Sequence, residues 1–406
     1  MSFASFIAGR ITFKSKRTFS KLIVRIAIIG IMLGLGVMIL SLAVVSGFKR
    51  EIREKVRGFD GDMKVIKYDL NSSFENSPFV RDTLTEQKLR NASSVEYMVP
   101  YATKAGIVKF SDEIEGVILK GVDKTYNWRF IKSCLVEGNV INFADSIAAR
   151  QQLMVSQTTA NRLRLKVGDK VIIYFVQEPP RPRPFKIVGI YDTSIQEVDK
   201  TYVIGDLSVI QKLNDQQPDV IGGYELRIKN FDRLDTVADQ VNSSLPIKLR
   251  LTTIKENYSN IFDWLQILDV NAQVMLVLML LVAVINMISA LLIMILERTS
   301  MIGIMKAMGT TNWAIQKIFL YNASYLISIG LLLGNILGVG LGLFQYYTHF
   351  FKLDASSYYM TFIPVEIKFT DVVLLNIGTM AVCLLVLIIP SMLISRITPV
   401  KAIRFK

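Results

Sequence analysis

The sequence predicts an α-helical membrane protein with four transmembrane helices and a large extracytoplasmic α/β domain inserted between helices 1 and 2. Three observations predict it: four long uncharged apolar runs, a polar stretch of ordinary composition between the first two, and positive charge concentrated beside the ends of the runs. The runs are Ile26–Phe48, Val270–Leu296, Ile318–Thr348 and Val372–Ser395. Each meets the roughly 20 apolar residues needed to cross a hydrocarbon core. The first is too long for the apolar segment of a signal peptide, and no A-x-A-like cleavage site follows it, so it reads as a permanent anchor.

Charge sets the expected orientation, because basic residues in short loops and near span ends stay on the cytoplasmic side. Residues 1–25 hold six basic residues and no acid, the 297–317 loop holds three against Glu297, and the 396–406 tail holds four. These segments account for nearly all of the formal net charge of +13, while 49–269, with 32 basic and 30 acidic residues, and the short external loop 349–371 are close to neutral. Both termini and the 297–317 loop are therefore expected in the cytoplasm and the 49–269 domain outside it. The basic balance then reports topology and gives no support to a nucleic-acid partner.

Within residues 1–25, Phe3, Phe6, Ile7, Ile11 and Phe13 recur among basic residues at roughly helical spacing, which predicts an amphipathic helix along the inner membrane surface. In the 49–269 domain, Val, Ile and Tyr enrichment and period-two alternation predict strands at Met63–Lys67, Gly106–Phe110, Gly116–Lys120, Gln152–Val155, Lys170–Val176, Phe185–Tyr191, Tyr202–Ile204 and Tyr224–Ile228. Helical periodicity marks Leu207–Leu213, Leu234–Val241 and Tyr258–Leu268, the last running into the second span. Strand–helix–strand order over 202–228 predicts a small α/β layer, and the earlier strands a second, more β-rich lobe.

Between two of those strands lies QEPPRPRP, Gln177–Pro184, with Pro179, Pro180, Pro182 and Pro184. Proline fixes φ and removes a backbone donor, so the segment should be a stiff projection or hairpin tip that presents Arg181 and Arg183 to an acidic partner. In the membrane, Gly330, Gly334, Gly338 and Gly342 form a stripe in the third run, and Gly30 and Gly34 a single G-x-x-x-G in the first. Such stripes admit a second helix at close range, and Asn286 and Asn335 supply amides for interhelical hydrogen bonds. No charged residue interrupts any run, which argues against a proton- or ion-coupled transporter.

The chemistry of the chain is defined largely by exclusion. One histidine, His349, and two distant cysteines, Cys134 and Cys383, make neither a zinc nor an iron site, so no metal is expected. The phosphate-cradling G-x-x-x-x-G-K-[ST], the zinc-binding H-E-x-x-H and the nucleophile elbow G-x-S-x-G do not occur. No convergent acid, base or nucleophile is visible, so the chain is read as no enzyme, binding no cofactor of its own.

The 297–317 loop, ERTSMIGIMKAMGTTNWAIQK, is the most specific segment. Its first half predicts a short helix with Met301, Ile304, Met305 and Met308 on an apolar stripe and Arg298 and Lys306 open to a partner. Gly309 then ends it, Thr311 or Asn312 caps the next helix, and Trp313 leads into the third span. A short cytoplasmic helix between two spans is what a motor subunit needs in order to push on a membrane domain.

On those residues the chain resembles the FtsX-like permeases, whose coupling segment reads near E-x-G/A-I-L-[KR]-A-x-G-A, and the layout of one span, a large domain and three spans is similar across essentially the whole chain. Within that superfamily it most resembles the lipoprotein-releasing, Lol-type permeases, through the basic N-terminus, the first-span ending AVVSGFKREIREKVRGF, the size of the domain and a proline-containing hairpin at QEPPRPRP. Met301 departs from the pattern by standing where an acidic residue is usual, and Ser46 precedes Gly47 and Phe48 where Asn is usual.

The resemblance implies a multi-pass protein of the cytoplasmic (inner) membrane with a periplasmic domain of two subdomains. It implies a cytoplasmic ABC ATPase dimer, which holds the ATP and Mg, contacting Glu297, Arg298, Ile302, Ile304, Lys306 and Gly309. It further implies a second permease copy or paralogue, membrane lipid and lipoprotein cargo in a cavity lined by Leu42, Val45, Phe48, Leu265 and Leu268, and a soluble periplasmic carrier recruited by Pro179–Pro184. The alternative is an FtsX- or MacB-like permease that transmits mechanical movement for peptide or drug export, or to activate a cell-wall hydrolase.

Overall fold

The structure, a computed structural model, describes residues 18–69, 75–91, 94–111, 113–353 and 360–398. The expected amphipathic stretch up to residue 17, part of the 349–371 loop and the tail beyond residue 398 lie outside the described residues. The chain forms two compact units, one made of the stretches up to Arg50, Trp264–Lys352 and Phe362 onward, the other centred on Glu51–Asp263.

The helices in chain order are α1 (Thr18–Asp60), α2 (Thr83–Asn91), α3 (Arg129–Ser133), α4 (Ser146–Ala149), α5 (Gln157–Leu163), α6 (Gln196–Asp199), α7 (Leu207–Leu213), α8 (Leu234–Ser244), α9 (Ile254–Asn257), α10 (Ser259–Glu297), α11 (Thr299–Ala307), α12 (Asn312–Thr348), α13 (Phe369–Ser391) and α14 (Leu393–Arg396). Among the described residues four helices are long and apolar enough to cross a membrane, on α1, α10, α12 and α13 with α14. The helices outrun the apolar sequences: α1 continues through the charged segment KREIREKVRGFD, and α10 begins at Ser259.

Interior packing is unequal among the four. In the apolar windows of α1 and α12, 39% of residues are buried, against 22% for α10 and 17% for α13. Ile31, Leu35 and Ile39 of α1 share a buried core with Phe319, Leu326 and Ile327 of α12, Met287 and Leu291 of α10, and Cys383 and Leu387 of α13. The glycine stripe of α12 makes this possible. A Cβ on Gly330 would stand 2.8 Å from Cβ of Ile31, one on Gly334 2.9 Å from Cβ of Leu35, and one on Gly338 3.0 Å from the carbonyl oxygen of Gly36. The stripe therefore receives α1 of the same chain, which is the close backbone approach that small residues allow. Gly342 meets Ile367, Gly30 is covered by the Asn286 amide of α10, and Gly34 lies 3.8 Å, measured from an added Cβ, from the carbonyl oxygen of Met279.

Helices α12 and α13 are joined by amides. Asn335 Nδ2 donates to Asn376 Oδ1 at 2.7 Å and Asn376 Nδ2 to Asn335 Oδ1 at 2.9 Å, while each amide also donates to the carbonyl one turn back in its own helix. Every donor of the pair is thereby satisfied without water, as a hydrocarbon core requires.

The second unit is built on strands β1 (Met63–Lys67), β2 (Phe79–Val80), β3 (Val95–Phe110), β4 (Glu113–Val122), β5 (Leu135–Gly138), β6 (Gln152–Ser156), β7 (Lys170–Phe175), β8 (Arg181–Tyr191), β9 (Tyr202–Asp206), β10 (Val220–Ile221), β11 (Gly223–Ile228) and β12 (Leu249–Thr253). Ten of them share one sheet in the order β12-β1-β11-β3-β4-β9-β6-β8-β5, with β7 pairing both β3 and β8. The two lobes expected from sequence are thus continuous. The 16-residue β3 carries both, pairing β11 along residues 95–101 and β7 along residues 106–109. Because β7 reaches both β3 and β8, the pairings close a circuit β3-β4-β9-β6-β8-β7, which removes the exposed edges an open sheet would leave. Inside it lie Val108, Leu119, Leu153, Ile173, Phe175, Phe185, Ile187 and Val203, each at most 2% exposed.

Candidate functional site

Three features of the chain bear on function: the α11 loop, the β7–β8 hairpin, and an ionic cluster where α1 ends. Helix α11 is closed by a Schellman motif: Gly309, at φ +88°, donates its N–H to the Lys306 carbonyl at 3.0 Å, and Thr310 donates to Met305 at 3.0 Å. Thr311 then caps α12 by accepting from the Ala314 N–H at 3.3 Å. Only part of the expected apolar stripe faces outward. Ile302 and Met305 are buried in the helix core, while Ile304, Met308 and Trp313 are 49%, 72% and 54% exposed. Glu297 ends α10 and Arg298 stands at the N-cap of α11.

Lys306 corrects the sequence reading of a cation open to a partner. Its Nζ donates to the carbonyls of Ile394 at 2.6 Å, Ser395 at 3.2 Å and Ile397 at 2.7 Å, at the end of α14. Ile302 is likewise no outward contact at 0% exposure. Outward-facing apolar surface on this loop therefore comes from Ile304, Met308 and Trp313.

The proline segment is mostly strand. Phe175 pairs with Arg181, Tyr174 with Pro182, Ile173 with Arg183 and Ile172 with Pro184, so only residues 176–180 form the tip. Proline is tolerated here because residues 181–184 pair on one side only, where ring nitrogens can face away from the ladder. The two-residue period then separates the side chains. Pro182 and Pro184 share the outer face with Ile172, Tyr174 and Val176, while Arg181 and Arg183 lie on the side of the buried Ile173, Phe175 and Phe185. Arg181 is not held out to a partner. Its guanidinium donates to the Leu213 carbonyl at 2.9 Å, where a helix C-terminus attracts cations, and pairs with Asp215 at 2.9 Å. Arg183 stays exposed.

The outer face is apolar and continues across strands. Ile107 of β3 stands opposite Tyr174, and Ile114 of β4 stands opposite Lys109, itself opposite Ile172. Ile107, Ile114, Ile172, Tyr174 and Val176 are 43%, 62%, 42%, 38% and 59% exposed. These exposed apolar side chains cluster beside Lys109, which lies on the same face.

At the end of α1 the chain buries charge. Asp60 accepts from Lys64 at 2.7 Å, Lys120 at 3.3 Å and the Tyr258 hydroxyl at 2.7 Å, and Lys120 also meets Glu225 at 2.8 Å. Arg57 bonds Asp62, Glu54 and the Ile228 carbonyl. Asp60, Lys120 and Glu225 are all under 5% exposed. Burial alone would raise the Asp60 carboxyl, but Lys64 and Lys120 outweigh it and hold the group well below the usual carboxylate range. Lys120, desolvated yet beside Glu225 and Asp60, is held above the ordinary lysine value. Sequence reasoning missed this cluster. Its one local signal is a lysine at the end of the apolar strand GVILK.

Of the expected cavity residues, Leu42, Val45, Phe48 and Leu268 are half-buried. Leu265, at 4% exposure, is consumed by packing within the chain and offers no wall to a ligand, a correction to the sequence reading.

These features define a class: a four-span helical membrane protein bearing a large α/β domain, with a short helix set between two spans. The sequence matches the MacB-like periplasmic core domain over residues 26–244 and the FtsX-like permease C-terminal region over 273–399. The chain belongs to the FtsX-like permease family with a MacB-like periplasmic core. It is similar to the lipoprotein-releasing system transmembrane protein LolC of Xylella fastidiosa, 22% identical over 97% of this chain and 96% of that protein, and to LolE of Haemophilus influenzae, 22% identical over 96% of each. Among solved structures, the periplasmic region of MacB from Actinobacillus actinomycetemcomitans covers 52% of this chain and 97% of its own, at 13% identity and TM-score 0.36.

Proposed function

We propose that the chain is the transmembrane permease subunit of an ATP-driven ABC complex that extracts lipoproteins from the outer leaflet of the cytoplasmic membrane and passes them to a soluble periplasmic carrier. The observation that carries this reading is the outer face of the β7–β8 hairpin, an exposed apolar surface around Tyr174 and Ile107 on a sheet whose pairings close on themselves. Similarity to LolC and LolE along nearly the whole chain supports it.

The physical task suits such a surface. Each acyl CH₂ exposed to water costs about 0.8 kcal/mol, so a multiply acylated anchor must pass from one apolar environment to another without crossing water. A carrier docked on the hairpin would receive it. In this reading the termini and α11 are cytoplasmic and the α/β domain periplasmic. An ABC ATPase dimer, holding ATP and its magnesium, docks on Ile304, Met308 and Trp313. The outward row Val270, Val274, Val277, Leu281 and Ile285 of α10 faces lipid or a second copy or paralogue, with Leu42, Val45, Phe48 and Leu268 nearest the cargo. This chain performs no catalysis of its own.

Photocrosslinkers placed at Tyr174 and Ile304 in cells test the proposal. Capture of a soluble lipoprotein-binding carrier from Tyr174 and of an ATPase from Ile304 is expected. The match to a MacB-like core over residues 26–244 favours, as second reading, mechanical transmission for peptide or drug export or for hydrolase activation. Capture of an export-tunnel protein or a cell-wall hydrolase from Tyr174 would replace the first reading with the second.

A further inference from the structure

Helix α14 is attached to α13 through a weakened backbone. Pro390, in the last turn of α13, has no N–H to give to the preceding turn, and the helix is interrupted two residues later at Met392. The short α14 continues from α13 through Met392, which keeps helical φ and ψ, and it also packs against α12. Two further contacts tie it to α11. Ile394, at 0% exposure, belongs to the same buried cluster as Ile302 and Met305 of α11. The second contact is the Lys306 ammonium, whose three donors meet the carbonyls of Ile394, Ser395 and Ile397. The Ile394 carbonyl also accepts from the Ile397 N–H at 3.4 Å, and these last carbonyls form the negative end of the helix dipole. A point charge with three rotatable donors fits three convergent carbonyls as a planar guanidinium or a neutral amide does not.

We propose that Lys306 is a positioning residue that clips the end of the fourth span to α11, so that a displacement of α11 is passed to α13 through α14. The chain itself joins α11 only to α10 and α12. Helix α13 is already tied to α12 by the Asn335 and Asn376 amides, and the clip adds a direct link from α11 to the end of that span. This deepens the permease reading, in which a cytoplasmic partner pushes on α11, but the clip is a property of this chain and can be measured without any cargo.

The test uses the full-length chain, with its co-purifying partners, in lipid nanodiscs, with Cys134→Ser and Cys383→Ala removing the native thiols. Spin labels are placed at the exposed Ala307 and Leu393, and the interlabel distance is read by pulsed electron resonance. A single narrow distance is expected for the parent, a distribution at least twofold broader for Lys306→Met, and partial narrowing for Lys306→Arg. A purely structural role is separated by a second readout: release per ATP hydrolysed should fall about tenfold in Lys306→Met at unchanged thermal midpoint, equivalent to 1.4 kcal/mol of lost coupling. An unaltered, narrow distance in Lys306→Met overturns the clip whatever the cargo proves to be. A parent complex that releases no lipoprotein, with the broadening still seen in Lys306→Met, overturns the lipoprotein reading and leaves the clip standing.

Discussion

The membrane helices and the α/β domain hold themselves together by opposite means. In the first, contact comes from absent side chains: Gly330, Gly334 and Gly338 let α12 approach Ile31, Leu35 and Gly36, and the polar groups used are the neutral amides of Asn335 and Asn376. In the second, Lys120, Asp60 and Glu225 are buried together as ionic partners inside a protein core. The same helix α1 shows both, with glycine at 30, 34 and 36 and the ionic residues Arg57 and Asp60 at its end. The difference follows from the solvent each part leaves when it folds. A charge leaving water can be repaid by partners that a folded sheet brings to it, whereas in hydrocarbon the alternatives are close van der Waals packing and paired amides.

The comparison breaks most readily at Lys120. Lys120→Met leaves Asp60 and Glu225 buried with less countercharge and should cost about 3–5 kcal/mol, as breaking one side of a buried pair does. Adding Glu225→Leu should recover part of the loss. A thermal midpoint unmoved by Lys120→Met would show that the cluster contributes nothing to the domain.

Gly334→Leu tests the other side. The new Cβ would meet Leu35 Cβ at 2.9 Å and the Met32 carbonyl oxygen at 3.0 Å, and overpacking against backbone should cost about 1–3 kcal/mol, visible as loss of monodisperse protein in detergent. Asn335→Leu should cost less, about 0.6 and at most 1.7 kcal/mol by analogy with measured membrane hydrogen bonds. Combining it with Asn376→Leu should add little beyond the first, because the two amides serve each other.

A finer test uses pH. Asp199 in the α/β domain is raised to about 7, chiefly by burial, against Thr193 hydrogen bonds that favour its charge. Its folded pKa lies above the 3.8 of an ordinary aspartate, so the folded chain holds the proton between the two values. Stability should fall as pH rises from about 4 to about 7 and level off above. Asp199→Asn should remove that slope, seen as thermal midpoints that converge between pH 5 and pH 8. The smallest effect is expected at Arg181→Ala, where an exposed pair with Asp215 screens away in solvent and the midpoint should not move measurably.

Local pattern carried much of the architecture. Apolar length marked the spans, and alternation marked strands such as Lys170–Phe175, whose burial alternates residue by residue. The strand at Met63–Lys67 was legible because its Met and Val face the core. Less legible were residues 95–105, the first part of β3, where buried residues run together because both faces are covered, and a run of that kind carries no period. The short β2, β5 and β10 are strands only because partners lie beside them.

By itself, the sequence determined that four segments are long and apolar enough to span a membrane, that the residues between the first two make an α/β domain, and that a short helix ends at Gly309. Length, composition and turn chemistry act over a few residues and need no partner to be read. Only the tertiary structure decided that the glycine stripe receives α1, that Arg181 is engaged by the Leu213 carbonyl and Asp215 while Tyr174 faces out, and that Lys306 grips the end of α14. Those choices join residues such as 306 with 394 and 60 with 120 and 225. Charge and close packing select partners by distance in space, and separation along the chain does not record it.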